Sequence, residues 1–157
     1  MSKVHVLVAM EREAESLGLP CSVIGIGAEN IRKRIKADDI VINVGYCGAI
    51  GLEPGTIVEP SEAVSLKNGA RIFIRPKFDF LHAPCYTAEE FVTEPKFEAG
   101  AICDMELFKL AKIPCKELYA LKIVSDNLNE ADCEEFDGAE QWAVVRDIVL
   151  NIVKEAR

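Results

Sequence analysis

Val4–Gly18, VHVLVAMEREAESLG, decides the fold class. Its first six residues are a β-branched-rich run of strand length. EREAESL then carries helix-favouring residues up to a stop at Gly18. A strand therefore feeds straight into a helix. The next unit repeats the plan: CSVIGIG (21–27) is a short apolar run closing in glycines, AENIRKRIKA (28–37) reads as helical, and DIVINVG (39–45) is a β-rich run ending in Gly45. Within the helical stretch Ile31 and Ile35 fall four apart among Arg32, Lys33, Arg34 and Lys36, which gives one buried stripe and a solvated basic face. Alternation of this kind predicts an α/β fold with a mostly parallel sheet.

Working outward, GTIVEP (55–60), EAVSLK (62–67) and ARIFIRP (70–76) are separated by Pro, Ser and Asn-Gly, as expected of strands joined by turns with some antiparallel pairing. AGAIC (99–103) reads as a short strand entering the helix MELFKLAK (105–112), and LYALKIV (118–124) as a further strand. Trp142, Val145, Val149 and Ile152 make one apolar stripe on a C-terminal helix that closes the fold. No repeat, low-complexity segment or linker interrupts the chain, so a single domain over residues 1–157 is expected.

The 157 residues carry a net charge of −8, and half are apolar, enough for one sizeable core. The acidic balance argues against a nucleic-acid partner, because phosphate contacts would meet net repulsion. No apolar run approaches the ~20 residues of a membrane-spanning helix. The start lacks the cleavage pattern of a secretory signal. Six cysteines with no CxxC pair fit thiols in a reducing cytoplasm better than a disulfide frame or a zinc site. His5 and His82 have no companion ligands at familiar metal spacing.

In α/β sheets, ligands bind at the carboxyl ends of the strands. The segments there are Met10–Glu13, Gly25–Gly27, Gly45–Gly48, Thr87–Phe91, Asp104–Glu106 and Ser125–Asn127. Four of the six offer carboxylates, although an acid at a strand-to-helix junction also serves as a helix cap. Gly25-Ile26-Gly27 lacks the third glycine of a dinucleotide fingerprint, and no phosphate-loop Lys-Ser/Thr follows it.

Taken in order, AMEREAE, GIGAEN, NVGYCGAIG with PGTIVEPSEA, TAEEFV, CDMELF and IVSDN resemble the motifs of the nucleoside phosphorylase/nucleosidase family, nearest to its methylthioadenosine/S-adenosylhomocysteine nucleosidase branch. The resemblance runs collinearly from Lys3 to about Asp137. It implies a three-layer α/β sandwich around a central mixed, mostly parallel sheet, and hydrolysis of the N-glycosidic bond of a purine nucleoside without metal or cofactor. Glu13 would activate water, and Asp126 would protonate the base. Met105 and Glu106 would hold the ribose hydroxyls, and Phe91 with Val92 would meet the base. Tyr46, Cys47 and Gly48 of the central glycine loop would line the site, together with Ser125 and Lys122.

The resemblance further implies a homodimer or higher homo-oligomer with a small-molecule nucleoside as substrate. Phosphorylases of the family place an Arg before the Val-Gly of the central loop, where this chain has Asn43, so water is the expected nucleophile. A phosphate-dependent phosphorylase and a catalytically weak nucleoside- or base-binding protein are the alternatives. The chain departs from the family in being short between its first helix and Ser22 and from Leu66 to Pro84. Tyr46 also stands where Ser or Thr is usual, and Lys122 where Arg is usual.

Overall fold

The computed structural model describes residues 2–25, 30–89, 96–128 and 136–156. In chain order the elements are β1 (Val4–Val8), α1 (Glu11–Leu17), β2 (Ser22–Val23), a 3-10 turn (Arg32–Arg34), β3 (Ile40–Ala49), β4 (Ile57–Ser65), β5 (Arg71–Phe73), β6 (Leu81–Thr87), β7 (Ile102–Asp104), α2 (Leu107–Ala111), β8 (Glu117–Asp126) and α3 (Ala139–Glu155).

The sheet is mixed. Pairings β1–β2, β1–β3, β3–β8, β4–β6 and β6–β7 are parallel, whereas β3–β7, β4–β5 and β4–β8 are antiparallel. An α/β fold with a central mixed sheet matches the expectation from sequence, but the sheet has a feature that sequence did not supply. Strands β3, β7, β6, β4 and β8 pair in a closed ring, with β1–β2 and β5 attached outside it. Closure depends on long strands that change partner along their length. One edge of β3 pairs with β1 at Ile40–Asn43 and with β7 at Gly48–Ala49, while β8 runs along the other edge and hands on to β4 at Lys122 and Ile123.

Alternation of side chains sorts the core. Ile42, Val44 and Tyr46 of β3, with Val6, Val8, Leu121 and Ile123, face Leu17 of α1 and Trp142, Val145, Val149 and Ile152 of α3. These last four are the stripe read from the sequence, and each such buried side chain contributes about 1.5–3 kcal/mol. Residues from all five ring strands, among them Cys47, Val58, Cys85, Ile102 and Val124, meet in a second cluster with Leu107 of α2. A third cluster joins Leu7 and Val41 to Ile31, Ile35, Leu110 and Ile113. Helix α1 ends at Gly18, whose φ of 66° is left-handed, and Arg146 of α3 donates to the Leu17 and Ser16 carbonyls at 2.7 and 3.1 Å. A cation thus satisfies the orphan carbonyls of the helix end.

Two local expectations are corrected. Ile31 and Ile35 are buried and Arg32–Arg34 exposed, but the described part of 28–37 forms a single 3-10 turn, with Ile35 already extended. Two anchors four residues apart need only one turn between them. GTIVEP and EAVSLK fuse into β4, because Pro60 falls at a register shift where a missing N–H is tolerated. Residues Leu81–Thr87, which contain Pro84, form β6. Cys21, Cys47, Cys85, Cys103 and Cys115 are thiols, while Cys133 lies outside the described residues. No helix among the described residues is long and apolar enough to cross a membrane.

Candidate active site

Glu13 is the third residue of α1, and its side chain turns back over the helix start. Oε1 accepts hydrogen bonds from the Ala9 and Met10 amides, both at 3.0 Å, and Oε2 accepts one from the Tyr46 amide at 2.6 Å. The last bond ties α1 to the middle of β3, directly over Gly45. Burial pushes the Glu13 carboxyl above its ordinary value, against the three backbone donors and the charge of Lys122.

Lys122 lies on β8 opposite Gly45 and is fully buried. Its ammonium is 2.5 Å from Glu106 Oε1 and 3.0 Å from Asp104 Oδ2. Asp104 ends β7 and is held from two further sides: Oδ1 accepts from Thr87 Oγ1 at 2.7 Å, and Oδ2 from the Leu107 amide at 2.9 Å. Thr87 Oγ1 in turn accepts from the Phe108 amide at 2.9 Å. Burial opposes ionisation of Asp104, yet Lys122 and these donors keep its carboxyl below the usual value. Burial pushes Glu106 up to about 8, with Asp104 and Glu13 adding to the rise and Lys122 opposing it. Lys122 stays charged because Asp104 and Glu106 outweigh the cost of burying it.

Asp126 closes β8 opposite Gly48, just past a register shift between Cys47 and Gly48. Its Oδ1 accepts from Ser125 Oγ at 2.9 Å and its Oδ2 from the Leu128 amide at 2.9 Å. Ser125 Oγ also lies 3.4 Å from the Cys47 carbonyl. Beyond these strand ends opens a cavity of about 510 Å³ lined by the Ala49–Glu53 loop, Asn127 and Leu128. With its nitrogen turned to the loop, the Asn127 amide donates to the Ala49 and Leu52 carbonyls at 3.2 and 3.1 Å. Leu128 holds a left-handed φ of 67°.

Glu13, Glu106 and Lys122 are thus brought into one buried charge cluster at the Gly45 end of a short β3 segment. Asp126 stands at its Gly48 end, about 10 Å along the strand at ~3.3 Å per residue. Met105 is half-buried next to Glu106. Tyr46 contributes its backbone N–H alone to this arrangement. Its ring points to the α3 side, edge-on to Phe136 and Trp142, with the Arg12 guanidinium 4.6 Å over its face. Its hydroxyl donates to the Asp137 carbonyl at 3.2 Å and accepts from Trp142 Nε1 at 2.9 Å. Phe91 and Val92 lie outside the described residues. Sequence reasoning counted Asp104 only among the strand-end acids and missed Thr87 as its partner, because the two meet across neighbouring strands 17 residues apart.

No family model and no curated protein sequence matches the chain. Solved structures do. An MTA nucleosidase (MTAN) variant from Chlamydia trachomatis bound to MTA is similar over 99% of both chains at 15% identity, with a TM-score of 0.79. The chain has the MTAN fold. The Helicobacter pylori 5′-methylthioadenosine/S-adenosylhomocysteine nucleosidase, in complex with a pyrrolidine compound, matches at 14% identity over 98% of both chains, with a TM-score of 0.74. The S-adenosylhomocysteine nucleosidase of Streptococcus pyogenes, in complex with 5-methylthiotubericidin, matches at 15% identity over 96% of this chain and 97% of its own, with a TM-score of 0.73. The alignments run nearly end to end over both chains.

Proposed function

We propose that the chain is a purine nucleosidase of the MTA/SAH type, hydrolysing the N-glycosidic bond of an adenosine-like nucleoside. The observation that carries this reading is the pairing, on an MTAN fold, of a buried Glu13–Lys122–Glu106 cluster with Asp126 at the two ends of one glycine-flanked strand segment. Breaking the bond expels a poor purine leaving group while the sugar gains oxocarbenium character. Asp126 gives the base a proton, exchanging one of its present donors for the purine. Glu106 accepts hydrogens from the ribose hydroxyls and sets negative charge beside the sugar, and Glu13 takes the proton of the attacking water. Met105 packs beside the sugar, and the backbone of Cys47 and Gly48 with Ser125 frames the approach to Asp126.

Water is favoured over phosphate by the placement of the basic groups. Arg12 is stacked on Tyr46 at the α3 side, and Asn43 spends its amide on the Leu7 carbonyl at 3.2 Å. Lys122 is already bracketed by two acids. A phosphate dianion calls for bidentate cationic partners, which this arrangement does not offer. The reading includes a three-layer arrangement of helices about the sheet, a cytoplasmic location, and a homodimer or larger assembly whose second subunit completes the substrate enclosure.

The neighbours supply the probe and the variant. MTA occupies Asp-to-Asn variants of both the Chlamydia and the Helicobacter proteins. Chromatography of a nucleoside panel, with and without phosphate and beside Asp126→Asn, tests the proposal. Adenine release from MTA without phosphate, lost in the variant, is the expected result. Release that requires phosphate makes the chain a phosphorylase. Thermal stabilisation by adenine with no release from any nucleoside makes it a binding protein.

A further inference from the structure

Thr87, Asp104, Lys122 and Glu106 form one line of contacts across β6, β7, β8 and the entry to α2. Both oxygens of Asp104 are engaged, by Thr87 Oγ1 at 2.7 Å and by the Leu107 amide and Lys122 at 2.9 and 3.0 Å. The Phe108 amide fixes the Thr87 hydroxyl so that its proton points at Asp104. Asp104 is therefore a carboxylate locked in place by three donors. One cation is thus shared by two buried acids, and the acid with more donors carries the negative charge.

We propose that Asp104 is a positioning residue: by holding the Lys122 ammonium, it limits the positive charge that reaches Glu106 and so sets whether Glu106 meets the sugar as an acid or as an anion. The groups facing Glu106 are Lys122 from β8, Asp104 and the Cys103 thiol from β7, and Glu13 from α1. Asp104 and Glu13 disfavour its ionisation, the buried Cys103 thiol is uncharged, and Lys122 is divided with Asp104. An ionised Glu106 accepts hydroxyl hydrogens and opposes the sugar cation with a full charge, so base release rises as Glu106 loses its proton. The part played at the sugar rests on the nucleosidase reading, whereas the charge relationship does not.

The test is an NMR titration of the full chain labelled with carbon-13 at its glutamate carboxyls, with Glu106→Gln identifying the resonance. The wild-type midpoint is expected at about 8. In Asp104→Asn, Glu106 is expected to become at least about tenfold more acidic, because the variant removes a neighbouring negative charge and releases Lys122 to it. Thr87→Val keeps both charges and removes only the hydroxyl donor. It is expected to move the midpoint the same way by less, and it decides the matter if Asp104→Asn does not fold. An unmoved midpoint in the folded variants overturns the proposal. Base release is then followed over the same pH range. A rate limb that ignores a moved midpoint removes Asp104 from the reaction while the nucleosidase reading stands. A moved midpoint in a protein that releases no base overturns that reading and keeps the charge relationship.

Discussion

Glu13 Oε2 sits so close over Gly45 that a β-carbon on Gly45 would stand 2.5 Å from it. The carboxylate has no room to withdraw, since the Tyr46 amide grips the same oxygen and two further amides grip the other. Gly45→Ala is therefore expected to cost roughly 1–3 kcal/mol of stability by overpacking, and to abolish base release by expelling Glu13. Urea unfolding and adenine release check both effects. Wild-type stability in the variant contradicts the contact.

Glu13→Gln keeps the shape and changes the chemistry. Three N–H groups now point at two acceptor oxygens, and the glutamine NH2 would face at least one of them donor to donor. The expected cost is about 1–3 kcal/mol for the unsatisfied buried group, with base release lost and nucleoside binding retained. Calorimetric binding of MTA beside the rate assay separates these, and a variant that turns over normally dismisses Glu13 as the base.

Tyr46→Phe distinguishes a core post from a substrate contact. The change strands the Trp142 indole N–H and the Asp137 carbonyl, both now satisfied by the hydroxyl. A loss of about 1–3 kcal/mol in unfolding free energy is expected, with KM for MTA unchanged within a small factor. A large rise in KM at native stability would place the phenol in the pocket.

Stability is expected to decline on both sides of a weakly acidic optimum, for opposite reasons. The His5 ring at 2.8 Å and the Lys3 and Lys36 amides at 2.9 Å hold the Asp39 carboxyl well below the usual carboxylate range. Its stabilising effect is whole above the unfolded value of about 3.9 and is lost as the pH falls through the lower folded value. Glu106 works the other way. The folded chain keeps its proton to about 8, whereas the unfolded chain releases it near ~4.3, so the folded state binds more protons between these values and loses stability as the pH rises through them. Urea midpoints across pH check both: Asp39→Asn is expected to flatten the acid limb and Glu106→Gln the alkaline one.

What could be read from the chain differs from element to element for physical reasons. β1, β8 and α3 were legible because a β-branched run and a three-and-four apolar spacing each permit one packing solution, and the four stripe residues of α3 are those that bury. The ring was not, because pairing of β4 with β8 depends on register between distant strands, and Pro60 reads as a break. Among the strand-end acids, Glu13, Glu106 and Asp126 are singled out by the family resemblance alone. Tyr46 follows Ile42 and Val44 on one face of β3, so its ring joins them against α3 while its N–H meets Glu13. Asp104 gave no signal beyond its position, since its meaning comes from Thr87 and Lys122, which only the folded sheet assembles.

The closed circuit of β3, β7, β6, β4 and β8 has a bearing on how the molecule fails. An open sheet frays from its outermost strand, but a hoop offers no loose end, so partial melting is confined to β1–β2 and β5 while the hoop survives or collapses as one piece. Asp104, Lys122 and Asp126 all ride on hoop strands. Their mutual alignment is consequently as durable as the native state itself, and amide protons of those strands should exchange with solvent only through global opening.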